Sequence, residues 1–257
     1  MHFQQAIVRP PSKTFSQGIT SAELGTPLLS FAREQHRKYC NALEACGLSV
    51  NILEPDAQFP DSTFVEDTAV ITRNCAVLTR PGAEARQGEV AGIKPILAQF
   101  GMQLDSIQPP GTLDGGDICQ VEDHFFIGIS KRTNVNGAQQ LASILRKYSS
   151  TSSFVELQRS NRLLHLKSGM SYLGDGRLVL SGDLLDHPYF QEYEILQVDE
   201  HESYAANCLR VNDFVLVAAG FPKIIAKLSK LGYKTIPLEI SEFQKMDGGL
   251  SCLSLRF

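Results

Sequence analysis

The chain lacks the features that would point to a membrane or to nucleic acid. Its start, "MHFQQAIVRPPSK", has no apolar core of a secretory signal, and no apolar run approaches the length of a membrane span. Basic clusters are also missing, and the formal net charge is −4. We therefore expect a cytoplasmic protein that binds neither nucleic acid nor membrane, and whose mild acidity suits a cationic ligand.

The cysteines lack the spacing of a metal site or a disulfide framework. No CxxC pair occurs, and no cysteine stands at ligand-like spacing from a histidine. We predict no metal. The cysteines are Cys40, Cys46, Cys75, Cys119, Cys208 and Cys252.

Linker-like segments are absent as well. The 257 residues contain no Pro/Ser-rich run, charge block or low-complexity stretch, and 43% of them are hydrophobic. A single domain over residues 1–257 is the expectation.

A hairpin unit recurs along the chain. Two short apolar strands flank a polar turn at Arg73-Asn74, Glu122-Asp123, Gly174-Asp175-Gly176 and Asn212-Asp213. Helical periodicity is predicted near 85–100, 137–148 and 222–231, and over 27–46 before Gly47. Turns spaced by about 40–50 residues indicate radial repetition.

The fifth unit is divided between the two ends of the chain. "HFQQAIVRP" supplies one strand, and the alternation in "GGLSCLSLRF" predicts a last strand that includes Cys252. If these strands pair, they close a ring of five ββαβ-like units. We therefore predict a five-bladed αβ propeller. A parallel α/β sheet fits less well, because hairpins outnumber strand–helix–strand crossovers.

Polar residues precede the inner strand of each unit, in "PDSTFVED", "LDGGD", "HLKSG", "YAAN" and "MDGGLSC". In a ring these segments converge on the axis. Clustered carboxylates repel one another unless a cation binds, and a guanidinium matches them in geometry. The converging residues would be Asp61, Glu66, Asp67, Asp114, Asp117, His165, Asp247 and Cys252.

Taken singly, each of these features has an ordinary structural explanation. A cysteine in a strand is most often a small core residue, and "LDGGD" is compatible with a simple turn. His165 alone would be a buried histidine with its hydrogen bonds satisfied. The functional interpretation depends on their recurrence at matching points of successive units.

Seven motifs in order resemble the dimethylarginine dimethylaminohydrolases, which are guanidine-modifying enzymes of the pentein type. They are "FVEDTAV", "RPGAEAR", "TLDGGDI", "ISKRTN", "LLHLKSGMSYL", "ESYAANC" and "DGGLSCLSLRF". The resemblance extends from about residue 5 to residue 257. It implies a five-bladed propeller that hydrolyses methylated arginine to citrulline without a cofactor.

The resemblance also implies roles for individual residues. Cys252 is similar to the nucleophile, His165 to the general acid and base, and Asp114 to the carboxylate between substrate and histidine. Asp67 and Glu66 match the guanidinium-binding pair. The other substrate-binding residues that it implies are Ile19 and Asp61 at the α-amino group, Arg86 and Arg132 at the α-carboxylate, and Phe64, Met246 and Asp247 near the reacting centre.

Other functions remain open at this point. Arginine deiminases share the cysteine–histidine pair but carry an aspartate two residues after the histidine, where this chain has Lys167. We expect a lysine there to leave room for N-methyl groups. An amidinotransferase, a silent propeller acting as a binding scaffold and a thiol amidase are further alternatives. The sequence allows a homodimer and leaves open the conformation of a lid around 16–26 and any link to nitric oxide.

Overall fold

Fifteen β-strands form five three-stranded sheets in the computed structural model, which describes residues 2–157 and 163–257. Every sheet has an inner strand, a middle strand antiparallel to it, and an outer strand parallel to the middle one. The predicted ββαβ-like unit is therefore confirmed.

The strands are β1 Gln5–Val8, β2 Ser49–Ile52, β3 Ala69–Ile71, β4 Ala76–Leu78, β5 Leu104–Ser106, β6 Ile118–Val121, β7 His124–Ile129, β8 Thr151–Glu156, β9 Met170–Gly174, β10 Arg177–Leu180, β11 Glu194–Gln197, β12 Leu209–Val211, β13 Phe214–Ala218, β14 Lys234–Leu238 and β15 Leu255–Arg256. The α-helices are α1 Leu29–Ala45, α2 Lys94–Gln99, α3 Val135–Lys147, α4 Pro222–Lys230 and α5 Ser241–Gln244.

The helices follow from local sequence signals. α1 ends before Gly47, whose φ of +92° suits a glycine. α3 begins after Asn134, whose side chain accepts a hydrogen bond from the Gly137 amide. The segment predicted near 85–100 is a 3-10 helix over Glu84–Gly92 followed by α2. Its helical content was predicted, but the interruption between the two helices was not.

The two ends of the chain share one sheet, in the order β15-β1-β2. Ala6 pairs with Arg256 and Ile7 with Leu255, antiparallel. The predicted closing strand is confirmed, but it is shorter than expected. Residues Ser251–Leu253 form a 3-10 turn, so Cys252 lies before the strand and not within it.

Five apolar clusters lie between neighbouring sheets and account for the ring. Each cluster joins two blades; one example combines Ala6 and Val8 of β1 with Leu216 and Ala218 of β13. The other four join blades that follow one another along the chain. Because every blade packs against two others, the arrangement is a closed five-bladed propeller.

The inner strands surround an axial cavity of about 260 Å³. All five of them, β3, β6, β9, β12 and β15, contribute to its wall. Among the described residues, no helix is long and apolar enough to cross a bilayer.

Candidate active site

Four short 3-10 turns carry the candidate site. They are Val65–Thr68, Gly115–Asp117, Leu166–Ser168 and Ser251–Leu253, and each lies just before an inner strand. A 3-10 turn directs successive side chains around its axis. The four turns lie together at one end of the ring. Of the polar residues predicted at the strand starts, Glu66, Asp67, Asp117 and Cys252 belong to these turns, Asp114 and His165 directly precede two of them, and Asp61 and Asp247 lie further upstream.

His165 and Asp114 form a buried pair at this end. His165 Nε2 lies 3.0 Å from Asp114 Oδ2, and the Gly82 amide donates to Asp114 Oδ1 at 2.8 Å. His165 is 6% exposed and Asp114 is fully buried. Burial alone would lower the pKa of His165, but the carboxylates of Asp67, Asp117 and Asp114 outweigh it and raise the pKa to about 9.

Gly116 allows Asp67 to approach this pair. Its amide donates to Asp67 Oδ1 at 2.9 Å. A Cβ at position 116 would lie 2.8 Å from the His165 ring and 3.0 Å from Asp67 Oδ1. The second glycine of "LDGGD" is thus required by close packing of the site.

Asp67 is held on its other side by Arg86. The Arg86 Nη1–Asp67 Oδ2 distance is 2.7 Å, and both residues are buried. Burial alone would raise the pKa of Asp67, but the positive charges of His165 and Arg86 lower it to about 2. Asp67 is therefore a carboxylate at any working pH.

Arg86 has most of its donors occupied. Nε and Nη2 contact the two Glu89 carboxylate oxygens at 3.0 and 2.9 Å, and Nη2 also donates to the carbonyls of Asp61 and Phe64. Within the described residues, one hydrogen of Nη1 is the donor left for a ligand. The prediction that Arg86 binds a carboxylate therefore rests on that single N–H.

Cys252 is the half-buried residue of its turn. The Gly249 amide donates to its Sγ at 3.4 Å. Burial, together with the charges of Glu66 and Asp67, raises the pKa of the thiol to about 12. Without a bound cation, the site keeps this cysteine protonated.

Glu66 lies beneath the turn of Cys252. Its carboxylate accepts from Ser251 Oγ at 2.8 Å and pairs with Lys167 Nζ at 2.7 Å and Arg256 Nη2 at 3.1 Å. Glu66 and Lys167 line the axial cavity, whereas Cys252 and His165 do not. Lys167 thus pairs with Glu66, and this geometry does not support the interpretation that it makes room for N-methyl groups.

The lid segment closes over the site through two carboxylates. The Ile19 amide donates to both oxygens of Asp61, at 3.2 and 3.0 Å. Asp247 Oδ2 accepts from the Ser21 amide at 2.6 Å and from the hydroxyls of Ser21 and Thr20. Of the predicted site residues, Ile19 and Asp61 are therefore in direct contact, and Asp247 contacts the same lid segment through Ser21 and Thr20.

Phe64 and Met246 form the apolar side of the same region. The Phe64 ring packs near Phe15 and Phe243, with centroids 6.1 and 6.3 Å apart. Met246 is buried, and its methyl group approaches Gly18 of the lid. Both residues therefore form part of the apolar wall of the candidate site under the lid.

One group of side chains has the composition of a metal site. Ligand atoms of Asp67, Asp114 and His165 lie within 4.8 Å of one another. However, the Arg86 guanidinium contacts Asp67, and its charge would oppose a metal cation at that point. The same geometry suits a planar cation that donates hydrogen bonds.

Comparison with known proteins decides the family. The arginine deiminase family model matches residues 57–193. The N(G),N(G)-dimethylarginine dimethylaminohydrolase of Pseudomonas aeruginosa is 44% identical over 99% of this chain and 100% of its own length. The chain belongs to the dimethylarginine dimethylaminohydrolase family. The enzyme of the same name from Streptomyces coelicolor is 37% identical over 100% of this chain and 98% of its own length.

Solved structures of the dimethylarginine dimethylaminohydrolase family have the same fold. A mutant enzyme from Pseudomonas aeruginosa, complexed with citrulline, superimposes with a TM-score of 0.97, covering 100% of both chains at 44% identity. Another family structure, an adduct with S-methyl-L-thiocitrulline, has a TM-score of 0.96 and covers 99% of this chain and 100% of its own, also at 44% identity. These matches confirm the pentein-type propeller.

Two buried carboxylates of this family member were missing from the predicted site. Glu89 holds Arg86, and Asp117 accepts hydrogen bonds from three residues around His165 and Arg132. Asp117 was recognised as converging on the axis but was given no role. For Glu89, the spacing of three residues from Arg86 on a helical segment was the available signal.

Proposed function

We propose that this protein hydrolyses free N-omega-methylated arginines, both asymmetric dimethylarginine and monomethylarginine, to citrulline and dimethylamine or methylamine. The observation that carries the proposal is the buried His165–Asp114 pair, set with Asp67 at the same end of the ring as Cys252. Cys252 is the proposed nucleophile, His165 the proposed acid and base, and Asp114 the proposed carboxylate that holds the imidazole.

Substrate binding follows from the charges of the site. The guanidinium of the substrate would lie against Asp67 and Asp114, where Arg86 is the one guanidinium that the described residues supply. We assign the α-amino group to Asp61 and the Ile19 carbonyl, and the α-carboxylate to Arg132 with the remaining N–H of Arg86. Phe64, Met246 and Asp247 would enclose the chain between the two ends. Glu66, which the resemblance paired with Asp67 at the guanidinium, contacts Ser251, Lys167 and Arg256, so we assign it instead the role of fixing the turn of Cys252.

The bound cation would activate the nucleophile. A guanidinium beside Cys252 opposes the effect of Glu66 and Asp67 and therefore lowers the pKa of the thiol. The thiol releases its proton to solvent, and the thiolate then attacks the guanidinium carbon and forms a C–S bond. His165, which is protonated at neutral pH because its pKa lies near 9, donates its proton to the departing amine as the C–N bond breaks.

The second step regenerates the enzyme. The S-alkylthiouronium adduct is still cationic, and His165 is now neutral. His165 accepts a proton from water, and the resulting hydroxide forms a C–O bond at the same carbon. The C–S bond then breaks and the proton of the new hydroxyl group passes to the sulfur, which releases citrulline and the neutral Cys252 thiol. Water is the co-substrate, so the proposed reaction requires no cofactor.

The proposal extends to the setting of the enzyme. The partner is a small molecule, and the net charge of −4 with no basic cluster supports the absence of a nucleic-acid partner. We place the enzyme in the cytoplasm, away from membranes, as one domain over residues 1–257, and we allow for a homodimer.

The test is a comparison of kcat/KM for asymmetric dimethylarginine and for arginine, with citrulline as the measured product. We expect the methylated substrate to be preferred. Cys252→Ser should be folded and inactive, and quenched wild-type enzyme should carry an adduct on the peptide that contains Cys252. A higher kcat/KM for arginine would make the chain a deiminase, and an active serine variant would exclude the covalent route.

A further inference from the structure

Asp117 is a fully buried carboxylate. None of the substrate groups in the proposed function is assigned to it. It ends the 3-10 turn Gly115–Asp117 that also follows Asp114. Its Oδ1 accepts from the Leu166 amide at 3.0 Å, and its Oδ2 accepts from the hydroxyls of Ser130 and Thr133, both at 2.7 Å. Asp117 thus joins three separate segments.

Each contact of Asp117 leads to a residue of the proposed mechanism. Leu166 follows His165 directly in the chain. Ser130 Oγ also accepts from the amides of Arg132 and Thr133, at 3.0 and 3.1 Å. Thr133 Oγ1 accepts from the Asp114 amide at 3.1 Å. One carboxylate therefore fixes the main chain beside the histidine, its aspartate partner and the arginine.

The surroundings of His165 give this carboxylate an electrostatic role as well. The charged groups that face the imidazole are Asp67, Asp114 and Asp117, with Arg86 on the far side of Asp67. Asp117 contributes to the raised pKa of His165 even though its hydrogen bonds go elsewhere. Its own pKa is raised to about 6 by burial.

We propose that Asp117 is a positioning residue. It holds the main chain at His165, Asp114 and Arg132 in place and keeps the imidazole protonated before the leaving amine departs. The effect that we expect on kcat rests on the proposed hydrolysis. The effect that we expect on the protonation of the imidazole does not, because it applies to the enzyme without any substrate.

The primary variant is Asp117→Asn, which keeps the size of the side chain and removes the charge. Glu202→Gln is the matched control, because Glu202 is also a buried carboxylate that accepts from backbone amides, those of Lys223 and Ile224 in the first turn of helix α4. Both variants lose one buried charge, but only Asp117 contacts the site.

The first measurement is the NMR titration of the His165 imidazole in the substrate-free enzyme, assigned by its loss in His165→Gln. Removing a negative charge disfavours the imidazolium, so Asp117→Asn should lower the pKa of His165 by about one unit. Glu202→Gln should leave this titration unchanged. A wild-type titration in Asp117→Asn overturns the electrostatic role, whatever the substrate is.

The second measurement is the kinetics of methylarginine hydrolysis. We expect Asp117→Asn to lower kcat by about 10-fold or more and to move the alkaline limb of the pH profile to lower pH. Ser130→Ala, which keeps the charge, should raise KM by about 10-fold through Arg132 and leave the pKa of His165 unchanged. Ser130→Ala also carries the test if Asp117→Asn does not fold.

The outcomes separate the two proposals. If wild-type enzyme does not hydrolyse methylarginine, the proposed function is wrong, and the histidine titration still decides the role of Asp117. If hydrolysis is confirmed and both Asp117→Asn and Ser130→Ala have wild-type kinetics, the positioning role is overturned.

Discussion

At the scale of single residues, the state of Cys252 without substrate is the main chemical consequence of the site. Burial and the two carboxylates raise the pKa of its thiol to about 12, so the proposed nucleophile is protonated across the physiological range. An enzyme built this way has a thiol that reacts slowly with other electrophiles until a cation binds.

We predict that a cation will lower the pKa of Cys252. The measurement is thiolate ultraviolet absorption as a function of pH, taken as the difference between wild type and Cys252→Ser. The titration should remain incomplete at pH values where an ordinary thiol is ionised, around 8.5. Guanidinium ion at a sub-denaturing concentration should move it to lower pH, whereas the same concentration of sodium should not. Equal titrations in the two salts would contradict activation by the substrate.

Residue types and their order were the easiest part of the site to predict. The resemblance to the dimethylarginine dimethylaminohydrolases implied the roles of Cys252, His165 and Asp114, and the His165–Asp114 contact agrees with it. Their use in catalysis stays a prediction until it is tested. Lys167 shows the limit, because its sequence position beside His165 does not reveal that its long side chain reaches Glu66.

At the scale of elements, the lid is held by polar contacts more than by packing. Ile19 and Leu24 are exposed, whereas the backbone of the lid is bound to Asp61 and Asp247. Asp247 itself has a φ of +57°, which favours a tight turn after helix α5 and directs its carboxylate toward Ser21.

We predict that Asp247→Ala will open the lid. Three hydrogen bonds to residues 20–21 are lost, so amide hydrogen exchange at residues 18–22 should accelerate while the strands keep their protection. KM for methylarginine should rise. Ser21→Ala is the matched comparison, because it removes one hydroxyl and keeps the backbone contact, and its effect should be smaller. Unchanged exchange in Asp247→Ala would show that other contacts hold the lid.

The boundaries of elements were harder to predict than their existence. The hairpins and the helices other than the short α5 were placed by periodicity and turn residues, which are local signals. The 3-10 turns before the inner strands were not, because an alternating pattern such as "GGLSCLSLRF" is compatible with a strand until tertiary contacts decide. Here the contact of Ser251 with Glu66, a residue 185 positions away, fixes the turn.

At the scale of the whole molecule, stability depends on closure of the ring. β15 pairs with β1, and Leu255 packs in the cluster between the first two blades. The Phe257 carbonyl also accepts from the amides of Gln4 and Gln5, both at 2.8 Å. The pairing of β15 with β1 therefore closes the ring in addition to the apolar clusters between blades.

We predict that deletion of residues 250–257 will cost much more than the loss of the nucleophile. The deletion exposes the edge of β1 and removes three buried leucines, so we expect poor solubility and loss of cooperative thermal unfolding. Cys252→Ser is the control, since it removes the thiol alone and should unfold like wild type. A truncated chain that melts at the wild-type temperature would argue against closure by β15.

Pairing between the two ends of the chain also sets an order of events during synthesis. β1 is synthesised before its inner partner β15, which follows almost 250 residues later in the chain. Until then the first blade has β2 on one side and an open edge on the other. The segment that closes the ring also carries Cys252, so a nascent chain gains its proposed nucleophile and its final shape in the same moment, and a chain that stalls earlier has neither.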